Sequence, residues 1–147
     1  MKKGTARGNN LVLYLAQKAM EEEVFMGLTR LMKMVYLVDL AYAEKHGKTY
    51  TGFDWFFHHY GPYAREVEAA VKGFIKEDEI DGTMVKEIVY RGKEVSIPDP
   101  EVEELADDAF YSWARESLDD LLDYVYSTLP MRIVSERGER LDLTVGF

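Results

Sequence analysis

The sequence predicts a mainly α, α+β fold, with about five to six amphipathic helices around a buried central helix and one small antiparallel β-hairpin. Three observations predict it. Residues 29–47 are apolar on nearly every side of a helix, which requires neighbours on several faces. Segments on either side repeat apolar residues at the helical period. Residues 84–97 instead concentrate β-branched side chains about Arg91-Gly92-Lys93, a hairpin pattern.

The first helix is expected after Asn9 or Asn10, either of which can cap it, with Leu11, Val12, Leu15, Ala19 and Met20 as its stripe. Residues 1–9 are expected to fray; they are basic at the start and lack the apolar core and cleavage pattern of a signal peptide. Thr29 is the expected cap of the central helix and Gly47 its terminator. Lys33 and Asp39 interrupt the apolar surface between them, and both are expected to reach the rim.

A third helix is expected to start at Pro62, whose missing N–H costs nothing at a first helical position, and to run through Val67, Ala70, Val71, Phe74 and Ile75. Next come the hairpin strands, Met84 to Tyr90 and Glu94 to Ile97. Asp99-Pro100-Glu101 carries a cap, a first-position proline and a charge suited to the helix dipole. Ser117 caps a further helix with the stripe Leu118, Leu121, Leu122, Val125 and Leu129, which Pro130 ends. Leu141 and Leu143 alternate with polar residues, the pattern of a short edge strand.

At 147 residues the chain is expected to form one domain, 1–147, burying roughly 70% of its unfolded surface. No run approaches the ~20 apolar residues of a membrane span. With no cysteine, disulfides, thiol catalysis and Cys-ligated zinc are excluded, and a cytoplasmic location fits. The net charge of −9 is graded along the chain: +3 over residues 1–50, −3 over 51–97 and −9 over 98–147. That gradient argues against nucleic acid as a partner. It suits a solvated acidic face, and permits a basic protein partner.

Residues 55–65 pack five aromatic rings, Trp55, Phe56, Phe57, Tyr60 and Tyr63, around Gly61-Pro62, with Arg65 following. These rings can cover the central helix, or present the residue types that dominate interface hot spots. His58 and His59 are adjacent, so an extended chain points them to opposite faces, which is wrong for two ligands of one metal. Packing beside the aromatic cluster is the expectation for both. Glu101, Glu104 and Asp108, and Asp119, Asp120 and Asp123, read as solvated faces because no cation-binding loop organises them. No nucleophile elbow or phosphate-cradling loop is present, so no catalysis, metal or cofactor is expected.

The pattern Leu28-Thr29-Arg30-Leu31-Met32-Lys33-Met34-Val35-Tyr36-Leu37-Val38-Asp39 is followed by Gly47 to Gly52 and by Tyr60-Gly61-Pro62-Tyr63-Ala64-Arg65-Glu66-Val67. In this order and spacing the chain resembles the Panacea domain family, the SocA-like antitoxins and proteolytic adaptors. Tyr124 to Pro130 follows the family's C-terminal pattern only loosely. The resemblance implies a small, mostly helical domain that binds and neutralises a toxin protein, in some members delivering it to a protease, without cofactor or turnover. Thr29, Lys33, Tyr36, Asp39, Gly61 and Pro62 are then structural. Tyr60, Tyr63 and Arg65, with Trp55 and His58, are candidates for partner contact. The rival expectation is a winged-helix DNA-binding regulator, in which Lys86, Arg91 and Lys93 of the hairpin touch phosphate.

Overall fold

The structure, a computed structural model, describes residues 5–134 and 136–145. Its element order is α1 (Ala6–Glu21), α2 (Leu28–His46), β1 (Phe56–His58), β2 (Gly61–Tyr63), α3 (Arg65–Val71), β3 (Ile75–Ile80), β4 (Thr83–Ile88), α4 (Pro100–Trp113), α5 (Leu118–Ser127) and α6 (Leu129–Ile133). The expected mainly helical α+β class is present, with two small antiparallel sheets where one was expected.

Helix α2 is the central helix, packed against α1, α3, α4, α5 and β2. Leu31, Met34, Val35, Tyr36 and Val38 have no exposed surface, so this helix is held by tertiary burial on several sides. Gly47 ends it in the left-handed conformation at φ 69°, where glycine carries no Cβ penalty, and its N–H returns to the Ala43 carbonyl. The N-terminus begins two residues earlier than expected. Gly27 occupies the cap position, no side chain caps it, and Thr29 lies in the first turn.

Helix α1 also begins earlier than the asparagines suggested. Thr5 accepts from the Gly8 N–H at 3.0 Å and donates to the Thr51 carbonyl at 2.6 Å. That pair of bonds ties residues 5–9 to the body, which corrects the expectation that they fray; Met1 to Gly4 lie outside the described residues. The caps at Asp99 and Ser117 form as expected, accepting from Glu101 N at 3.0 Å and Asp120 N at 3.1 Å. Pro130 does not itself stop α5. Thr128 is extended at φ −70°, ψ 150°, and Pro130 falls in the first turn of α6, where its missing N–H is tolerated.

Two expectations about 62–97 are corrected. Pro62 opens no helix: it lies in β2, paired with Phe57, and α3 starts at Arg65. Phe74 and Ile75 leave the helix, with Ile75 opening β3. The hairpin is 75–88, with Ile80 opposite Thr83. Its turn is Asp81-Gly82, both at positive φ (51° and 78°), the primed geometry that matches strand twist. Asp-Gly is a stronger hairpin signal than Arg91-Gly92-Lys93, and it was legible in the sequence. The tail does run along an edge. Gly138 N donates to Phe57 O, Phe57 N to Glu139 O and Leu141 N to Trp55 O, a single bridge (Phe56–Arg140) rather than a strand, with Leu141 and Leu143 buried.

Candidate protein-binding site

The aromatic corner is built onto α2 by the two polar residues that interrupt its apolar surface. Neither reaches the rim. Asp39 is fully buried and Lys33 is 3% exposed, which corrects the sequence expectation. Each instead finds partners far along the chain. Asp39 Oδ1 accepts from the backbone N–H groups of Tyr50 and Thr51 at 3.1 and 3.0 Å. Its Oδ2 accepts from the Thr51 hydroxyl at 2.5 Å and the Trp55 indole N–H at 2.9 Å. Burial raises the carboxyl above the ordinary carboxylate range, and these donors oppose that rise. The residues leading into β1 are thereby pinned to the helix.

Lys33 Nζ donates to the Pro62 carbonyl at 2.8 Å. Burial pushes the ammonium down to about 8. Among the described residues no carboxylate pairs with it. Tyr36, also fully buried, sets its ring edge-on to Trp55 at 5.6 Å and shares a 2.8 Å hydrogen bond with the Thr128 hydroxyl, linking α2 to the end of α5.

On this base β1 and β2 form a hairpin with Phe56 opposite Tyr63, Phe57 opposite Pro62 and His58 opposite Gly61. Gly61 sits at φ 93°, a conformation L side chains rarely adopt, so the expected sharp turn is realised in a strand. The run divides by burial along its length. Trp55 is 2% exposed and presents no surface to a partner; Phe56, Phe57 and Tyr63 are half-buried; Tyr60 at the tip is 63% exposed. The rings therefore divide between core and surface, with Trp55 in the core and Tyr60 in solvent.

The histidines are not on opposite faces. The His59-Tyr60 turn folds the chain back, the two imidazoles meet edge-on at 4.9 Å, and His58 stacks on Tyr63 at 4.8 Å. Tyr63 in turn donates to Glu68 at 2.7 Å. Among the described residues no three His, Asp or Glu side chains gather as a metal site. His46 lies in the last turn of α2, stacked on Tyr42 and hydrogen-bonded to Glu101 at 2.9 Å. Arg65 is exposed as the first residue of α3.

Beneath the turn is a pocket of about 200 Å³ between the start of α2 and the hairpin, reached by Thr29, Lys33, His58, His59, Tyr60 and Tyr63. Sequence reasoning missed Tyr126, 39% exposed on α5, whose ring crosses Phe57 at 6.3 Å and lies where a Gly61 Cβ would touch it at 3.6 Å. Its signal was present: a tyrosine lying off the apolar stripe of an amphipathic helix. A larger cleft of about 670 Å³ opens on the other side of the α2 start. Its two arginines are already engaged, Arg30 donating to the Trp113 and Glu116 carbonyls at 2.7 Å and Arg115 pairing with Glu22.

No helix among the described residues is long and apolar enough to cross a membrane. No curated protein and no solved structure matches the chain. A family model described as "Antitoxin SocA-like, Panacea domain" matches residues 31–129. That span holds every candidate contact residue and every structural candidate except Thr29, and it exceeds half of the chain: the protein belongs to the SocA-like antitoxin, Panacea domain family.

Proposed function

We propose that this chain is a non-enzymatic, cytoplasmic antitoxin that silences a protein toxin by stoichiometric binding, using the face around Tyr60. The observation that carries it is the exposed Tyr60 tip on a hairpin held from below by Lys33–Pro62 and Asp39–Trp55. A rigid, solvent-facing aromatic loses little entropy on binding, and tyrosine is among the residues that dominate interface energetics. His58 lines the same pocket as Tyr60, Tyr126 lies beside Gly61, and Arg65 lines a second pocket with His58 and Tyr63. Family membership supports a protein partner. Neutralisation then proceeds by masking the toxin or by delivering it to a protease, and toxin half-life in protease-deficient cells separates the two.

A winged-helix reading finds little support. Helix α3 spans only seven residues, and the true hairpin carries Glu77, Asp78, Glu79, Asp81 and Glu87 against Lys76 and Lys86. The deciding experiment is co-expression with the product of the neighbouring reading frame. Rescue of growth with one-to-one co-purification is expected. A harmless, non-binding neighbour overturns the proposal.

A further inference from the structure

The pocket under the His59-Tyr60 turn is anomalous for so acidic a chain. Its ionisable lining is Lys33, His58, His59, Tyr60 and Tyr63, without a carboxylate, while the chain carries a net charge of −9. Lys33 has donors to spare: an ammonium offers three, and the Pro62 carbonyl takes one. The same pocket receives the start of α2 through Leu28 and Thr29. That 19-residue helix has no side-chain cap and no acidic residue in its first turn, so the positive end of its dipole is uncompensated locally. Thr29 and Lys33 are four residues apart and share a helix face. A lysine only 3% exposed and without a carboxylate thus lines the same small cavity as a helix start with no side-chain cap.

We propose that this pocket accepts one carboxylate, the side chain of an aspartate or glutamate that the protein partner inserts beneath the His59-Tyr60 turn. The assignment to a partner rests on the function proposed above; the ligand chemistry rests on the pocket alone. A single carboxylate matches a single ammonium. A phosphate dianion calls for several charged donors, and the lining supplies one lysine and no arginine. The Leu28 and Met32 walls suit the methylenes of an acidic side chain. Tyr60 and Tyr126 flank the Gly61 corner, so a polypeptide can lie across the surface while one side chain points in. Burial without a counter-ion lowers Lys33, and a bound carboxylate restores it.

The test uses the full chain and four small probes followed by NMR. These are N-acetyl-glutamate α-methylamide (a side-chain carboxylate), N-acetylglycine (a chain-terminal one), N-acetyl-glutamine methylamide (the neutral isostere) and inorganic phosphate. The glutamate probe is expected to shift Leu28, Thr29 and His58 and to move the Lys33 ammonium titration to higher pH. The neutral probe leaves both unchanged. Lys33→Met weakens the glutamate probe about 10–100-fold, the loss of a charge-assisted hydrogen bond. The Lys33 titration in the unaltered protein needs no variant, so a misfolded Lys33→Met does not rescue the idea. An unmoved Lys33 titration overturns it. Tighter binding of phosphate overturns the carboxylate assignment, and tighter binding of N-acetylglycine overturns the side-chain source. Probe binding with a failed co-expression removes the toxin reading and leaves the pocket; an intact complex without probe binding does the reverse.

Discussion

Asp39 Oδ2 and the indole Nε1 of Trp55 are 2.9 Å apart, both fully or nearly fully buried, and sixteen residues separate them in the chain. Trp55 opens the segment that becomes the aromatic hairpin, so this one bond couples the central helix to the surface that faces solvent. Thr51 and Tyr50 complete the acceptor shell of the same carboxylate. Asp39→Ala leaves those donors buried and unanswered. A loss of about 3–5 kcal/mol in urea unfolding is expected. A loss within error means that the network contributes nothing net.

Lys33 predicts an alkaline rise in stability. The unfolded chain binds the proton near ~10.4, whereas the folded chain holds it at about 8. Between these values the unfolded state binds more protons, so stability rises with pH. It falls again as pH drops through about 8, where the buried charge is fully present. Above pH ~10 Tyr14, Tyr36 and Tyr63 act oppositely. They are pushed up to about 12, chiefly by burial, and the folded chain keeps protons that the unfolded chain has lost. The unfolding free energy is expected to climb by ~1–3 kcal/mol between pH ~7.5 and ~9.5. In Lys33→Met this climb is absent, and an unchanged climb assigns it to other groups.

Gly61→Ala tests backbone conformation apart from packing. The added Cβ would come no nearer than 3.6 Å to Tyr126 Cε2 and 3.7 Å to Lys33 Cε, ordinary contacts, yet φ is 93°. A cost of ~1–2 kcal/mol is expected from that strain alone. Thermal melts of Gly61→Ala beside Gly73→Ala, an open site without positive φ, provide the comparison.

Tyr60→Ala separates stability from binding. Its ring is 63% exposed, so unfolding is expected to shift by less than ~0.5 kcal/mol. Affinity for the co-purifying partner is expected to fall by about 2 kcal/mol or more, roughly thirtyfold. Calorimetry on the purified pair measures it, and an unchanged dissociation constant places the interface elsewhere.

Asp99→Ala removes the side-chain acceptor of Glu101 N at the start of α4. About 1 kcal/mol of stability is expected to go with it. Asp99→Asn, which caps equally well, restores it; a failure to do so points to charge at the helix dipole as the larger contribution.

Local chemistry made much of this protein legible in advance. The caps at Asp99 and Ser117, the left-handed stop at Gly47 and the burial of α2 on several faces are each settled within about one helical turn, by bonds or spacings the sequence displays directly. The family pattern was legible for the same reason, since its residues sit at fixed short offsets. What tertiary structure alone decided is where distant segments meet. Pro62 became a strand residue because β1 pairs with it across the His59-Tyr60 turn, although its own chemistry also suits a helix start. Lys33 and Asp39 went inside because acceptors and donors 11 to 29 residues away came to meet them. A buried charge depends on partners that only the folded chain assembles, so the pocket at Lys33 belongs to the fold rather than to any one stretch of residues.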